Sequence, residues 1–161
     1  MLCVWCPAYF DHVDGYDAWE TRVNDRLSDV ISAGELVPVN IQSDGAFGVR
    51  VATAPLSLTE REQSYAVVTS EPYLLAVTGG ELCVSGIEGV GDPVRAPLRV
   101  NLPDGRYAVR ATIVAWDEEP GGLGCDGHPA EDALPDFVLQ ISPEAGLEQY
   151  RTLELTFDPP E

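Results

Sequence analysis

The chain reads as a mainly β protein: a single-domain antiparallel β-sandwich of nine or ten short strands over residues 1–161, with one α-helix near its start. Three observations predict it. Apolar residues alternate with polar ones at a period of two from Leu36 onward, turn signals separate these runs at short intervals, and only one stretch recurs at helical spacing. A parallel sheet would need a crossover helix between strands, and the sequence holds no such series. A half-open barrel is the alternative arrangement of the same strands.

Residues 2–10 form a short apolar and aromatic stretch, the first expected strand. Helical spacing then joins Ala18, Trp19, Val23, Leu27, Val30 and Ile31 into a helix over about 17–33. Asp17 and Glu20 have capping-box spacing at its start, and Gly34 stands where it should stop. Val37, Val39 and Ile41 alternate next, and Pro38, with no N–H to donate, makes this either an edge strand or one that starts late. Ser43-Asp44-Gly45 turns the chain into Phe47, Val49 and Val51. Residues 55–63 read as a loop or helical turn, and Tyr65, Val67 and Thr69 as a strand.

Gly79-Gly80 predicts a hairpin turn between Tyr73–Thr78 and Leu82–Val84. Pro103-Asp104-Gly105 predicts a second, between a strand at Leu98–Leu102 and one running from Tyr107 to Trp116 with an apolar face. An acidic loop rich in Gly and Pro follows over about 118–135. The last expected pair is Phe137–Ile141 with Leu153–Phe157, and Asp158–Glu161 is a tail.

Composition limits the function. Nine basic residues, all Arg, face 27 acidic ones for a net charge of −18. A nucleic-acid surface needs cations to release counterions from phosphates, and an anionic membrane repels the same excess, so neither is an expected partner. A negative field instead attracts and steers basic proteins; the plain alternative is solubility alone. No basic, cleavable leader opens the chain and no apolar run approaches the length of a spanning helix, so the expected location is cytoplasmic, with the four cysteines reduced.

Motifs for catalysis are lacking: no GxSxG, HExxH or Walker loop occurs. His12 and His128 are the only imidazoles. A pair of carboxylates could still act together if close in space, but with this many acids chance pairs are expected, and the chain reads as non-enzymatic with no cofactor. Cys3 and Cys6 form a CxxC, and Cys125 and His128 a CxxH. Together they make a Cys₃His set of the kind that holds structural zinc. Against it, a strand at residues 2–6 points Cys3 and Cys6 to opposite faces. The acids at 117–119, 126, 131, 132 and 136 could hold calcium, although the spacing matches no EF-hand loop.

Trp116 stands apart from the other aromatics, which sit on the apolar phase of strands or helix. It ends a strand and directly precedes Asp117-Glu118-Glu119, so an aromatic anchor lies beside a cluster of acids. With Glu131 and Asp132 these residues form the expected binding face for a basic protein, and the oligomeric state stays open.

The layout also resembles a known family. Its carriers are the Trp-containing helix at 19–31, SDGAFGVRV at 43–51, SYAVVTSEPYLLAVTGGELCVSGI at 64–87, and above all LRVNLPDGRYAV at 98–109. Together they resemble the competence protein J family of bacterial nuclease inhibitors, which are small acidic all-β proteins. The resemblance implies inhibition of a nuclease. It assigns no individual inhibitory residue and does not account for the CVWC start or the segment beyond Pro120.

Overall fold

The computed structural model describes residues 1–41, 45–146, 149–154 and 156–157. The chain divides into two compact units. The first takes Met1–Ser43, Pro72–Ala108 and Pro143–Glu161; the second takes Asp44–Glu71 and Val109–Ser142. The protein is mainly β with two open sheets, the mainly-β sandwich class expected from the alternation.

The first unit is built on the sheet order β10-β2-β1-β6-β7. Its middle strand, β1 (Leu2–Trp5), is a continuous apolar run, as a strand covered on both faces should be. Cys3, Val4 and Trp5 are wholly buried. β1 is antiparallel to β2 (Leu36–Ile41), from Leu2↔Val39 to Trp5↔Leu36, and to β6 (Glu81–Gly86), from Leu2↔Gly86 to Trp5↔Cys83. The Trp5 indole N–H donates to Ser85 Oγ at 3.0 Å, and its ring meets Phe10 edge-on at 5.7 Å. A buried tryptophan thereby keeps both its packing and its polar requirement. Pro38 lies opposite Cys3, while β10 (Thr156–Phe157) reaches only Asn40 and Ile41. At Pro38 the strand therefore has a ladder partner on one side only among the described residues, the position a residue without an N–H tolerates.

The expected helix is broken. α1 (Tyr16–Trp19) is continued by a π turn at Glu20–Asn24, and α2 (Leu27–Ala33) begins after Arg26 at φ −119°. Thr21, Val23, Asn24 and Asp25 are all weak helix formers, and the run yields there. Asp17 is not the N-cap; Gly15 is, without a side-chain cap. The stop is as expected. Gly34 has φ 76°, and a Cβ on it would stand 2.8 Å from Leu74 Cγ.

Both strong turn signals prove to be corners. β5 (Tyr73–Val77) and β6 flank Gly79-Gly80, yet β5 pairs with β8 (Gly105–Val114), while β6 pairs with β1 and with β7 (Leu98–Asn101). β7 and β8 likewise flank Pro103–Gly105 without pairing. The two corners bind each other instead: Leu102 N–H donates to Gly80 O at 3.0 Å, and Gly80 N–H to Asp104 Oδ1 at 2.8 Å. Turn residues set where the chain reverses; the ladder partner is chosen by which apolar faces meet.

The second unit carries the sheet order β3-β9-β8-β4. β4 (Ala66–Thr69) is antiparallel to β8. β3 (Val49–Thr53) and β9 (Phe137–Pro143) are parallel, from Val49↔Phe137 to Thr53↔Ile141. That pair, with β2 and β10, departs from the expected all-antiparallel pairing, and β9 and β10 are not partners. In β8 the expected single apolar face is replaced by burial on both: Val109, Ala111, Thr112 and Val114 are all covered. Thr112 is accommodated by its hydroxyl contact with Thr69 at 2.8 Å. Ala52, Val114, Leu134 and Val138 form a core, with Leu58, Tyr65 and Trp116 packed against it.

No helix among the described residues is long and apolar enough to cross a membrane. Ser43, Asp44, Leu155 and the Asp158–Glu161 tail lie outside the described residues.

Candidate functional site

The acidic loop folds back on the second unit, and it is held at both ends. After β8 the Ala115 amide donates to Tyr65 O at 2.9 Å, and Trp116–Glu118 close a 3-10 turn. The Trp116 indole N–H then donates to Asp136 Oδ1 at 2.8 Å. The other oxygen of Asp136 accepts from the Gly48 amide at 2.6 Å, and its carbonyl from the Val114 amide at 3.0 Å. Asp136 therefore ties the loop's far end, the start of β3 and Trp116 into one corner. Both its oxygens are engaged, so it acts as a strut.

Within the loop, Gly122 N–H donates to Glu119 O and Ala130 N–H to Gly122 O, each at 2.8 Å. A Cβ on Gly122 would lie 2.2 Å from Trp116 O, so this close approach requires glycine.

A short helix, overlapping the stretch 55–63 expected to be a loop or helical turn, supplies the second anchor. α3 (Glu60–Ser64) opens with a complete capping box: Thr59 Oγ1 accepts from the Glu62 amide, and the Glu62 carboxylate accepts from the Thr59 amide. The T-x-x-E spacing at 59–62 was the available signal for it. From α3, Arg61 makes a two-pronged pair with the Glu119 carboxylate and donates to Asp132 O at 2.8 Å. Its hydrogen bond holds the Glu119 carboxyl below the ordinary carboxylate range. One guanidinium thus brings the run 117–119 and the run 131–132 together, as the sequence reading required of one binding face. Glu119 itself is spent in doing so. Asp117, Glu118, Glu131 and Asp132 are exposed and form no ion pair among the described residues.

Behind the turn, Glu62 is 2 % exposed and pairs with Arg50 through both oxygens. Burial raises this carboxyl, but the bonds from Arg50 and Thr59 together outweigh it and hold it below the usual range. Between Trp116, β3 and the loop lies a concavity of about 340 Å³, walled mainly by Val49, Trp116, Ala130, Ala133, Leu134 and Pro135. The sequence reading found Trp116 but missed this hollow, because its walls come from three separated segments.

The two pairs of the zinc set lie in different units. Cys3 and Cys6 are buried in the first unit, where Cys6 Sγ bonds Thr78 O at 3.1 Å and burial pushes the Cys3 thiol up to about 12. Cys125 and His128 are exposed in the second unit. Among the described residues no three His, Cys, Asp or Glu side chains are grouped to hold a metal, which covers the calcium alternative in the acidic loop too. Asp126 Oδ1 instead accepts from the His128 amide, a local turn bond. His12, the other imidazole, is exposed in the first unit.

No family model matches the chain, and no curated protein matches it. Among solved structures it is similar to "Crocagin biosynthetic gene J", with a TM-score of 0.55 and 21% identity over 89% of this chain and 90% of that one. At that identity the likeness is one of fold.

Proposed function

We propose that the chain is a non-enzymatic acidic binding protein of inhibitor or immunity type, acting in the cytoplasm, whose partner is a basic protein such as a nuclease or toxin. The observation that carries this reading is the folded loop beside Trp116, whose Asp117, Glu118, Glu131 and Asp132 are exposed and form no salt bridge among the described residues. The rest of the molecule supports it. Seven of the nine arginines are committed to internal ion pairs, so the negative excess is not offset by a free cationic patch made from them. The resemblance to nuclease inhibitors points the same way.

The mechanism is occlusion. The field of a protein carrying −18 draws a cationic cleft toward it, and the carboxylates stand in for substrate phosphates. The test is to measure association rates and inhibition for a panel of purified basic nucleases between about 20 and about 300 mM salt, where the screening length shortens several-fold. Inhibition is expected, with an association rate falling by about tenfold or more and dissociation changing little. A panel with no inhibition, or an association rate indifferent to salt, defeats the proposal.

A further inference from the structure

The concavity beside Trp116 has a character opposite to its rim. Its wall is chiefly apolar, and its two charged members are already committed: Asp136 to the Trp116 indole and the Gly48 amide, Arg50 to Glu62 and to Ser57 O. What the hollow offers an occupant is apolar contact. The rim is acidic. Glu131 and Asp132 lie in the chain between wall residues Ala130 and Ala133, and Asp117 and Glu118 directly follow Trp116; all four are exposed.

We infer that this hollow takes one apolar side chain, of leucine or phenylalanine size, projecting from a basic segment of a partner protein whose flanking Lys or Arg residues meet the four rim acids. The inference rests on the acidic-binder reading and deepens it by naming what the partner must present. Three arguments select this occupant. About 340 Å³, at the small end of ligand pockets, gives ample room for one leucine or phenylalanine side chain. An anchor in an apolar pocket, ringed by polar groups that exclude water, is the usual centre of a protein interface. Charge complementarity decides the flanks. A second copy of the chain would bring another −18 and be repelled, a neutral apolar molecule makes no use of the four acids, and an arginine as the anchor itself would find the hollow's one carboxylate, Asp136, already bonded through both oxygens.

The test is an NMR titration of the full chain at about 20 mM salt. The probes are pentapeptides of four arginines around a central leucine, four arginines around a central alanine, and four serines around a central leucine. The leucine–arginine peptide is expected to bind about tenfold or more tighter than the alanine–arginine peptide, the ratio that burial of one such side chain supplies. The largest shifts should fall on the Trp116 indole N–H and the Ala130 and Ala133 amides. Ala133→Phe, which fills the hollow, should abolish the difference between the leucine–arginine and alanine–arginine peptides; if that variant does not fold, the wild-type comparison decides alone.

Equal affinity for the two arginine peptides would overturn the anchor while leaving the acidic-binder reading intact. A leucine–serine peptide as tight as the leucine–arginine one would overturn the basic flanks. Failure of both arginine peptides to bind would remove the parent reading as well.

Discussion

Replacing Arg50 with methionine would strand a buried carboxylate beneath the candidate site. Methionine preserves an unbranched apolar stem but removes the guanidinium that meets both Glu62 oxygens. Breaking a buried pair from one side costs about 3–5 kcal/mol. The Arg50 side chain is 31% exposed, and the Thr59 amide still donates to Glu62 at 2.7 Å, so some compensation remains. A loss of about 2–3 kcal/mol at neutral pH follows. With a urea slope of about 2 kcal/mol/M, the unfolding midpoint should fall by about 1–1.5 M.

The pH dependence gives a sharper check. In the wild type the Glu62 carboxyl is depressed below its unfolded value of about 4.3. Its contribution is therefore present above that value and lost only as pH falls through the depressed one. Glu62 should leave wild-type stability unchanged between about pH 7.5 and about pH 5.0, and both lie above the isoelectric point near 4.1. In the variant, burial, the largest influence on this carboxyl, is opposed only by the Thr59 bonds, and the folded value should move up past the unfolded one. Stability is then lost as pH rises through the raised value and recovered toward the unfolded one. The gap between the two proteins should narrow on going to the lower pH. A loss under about 1 kcal/mol, or a gap identical at the two pH values, would refute this account of Glu62.

Trp116→Phe keeps a ring against the core but deletes the 2.8 Å bond to Asp136, a charged acceptor. A loss of about 1.5–2 kcal/mol in urea unfolding is expected, and no measurable loss would mean that the strut is idle. Gly122→Ala places a Cβ against Trp116 O, so the turn must open. The Trp116 indole N–H resonance should move and stability should drop by about 1–3 kcal/mol; an unmoved resonance would contradict the close approach. Of the four thiols, only exposed Cys125 should react quickly with a disulfide reagent in the native protein. Buried Cys6 should wait for denaturant, as should Cys3 and Cys83, whose thiols burial pushes up to about 12 and about 11. Two fast native thiols would count against the packing around β1 and β6.

Local chemistry was legible wherever neighbours in sequence decide it. The period-two runs became strands, Gly34 ended its helix in the left-handed region, and Pro38 sits where the strand lacks a second ladder partner among the described residues. Trp116 and the acids after it could be singled out because a large aromatic beside three carboxylates is unusual at a strand end. The capping box at Thr59–Glu62 was also readable, and with it the helix that carries Arg61.

Partnership was not legible. Gly79-Gly80 and Pro103–Gly105 announce reversals, but a reversal does not choose a ladder partner, and both corners lead their strands to different neighbours. Glu119 looked the same as Glu118 in the sequence, yet Arg61 from 58 residues away takes one and leaves the other in solvent. The hollow beside Trp116 exists only because segments near 46–50 and 129–136 converge on it. Alternation, turn type and net charge are short-range or summed quantities that the sequence carries by itself. Which carboxylates are neutralised, and which apolar walls face each other, depend on long-range packing, and only the tertiary structure decided those.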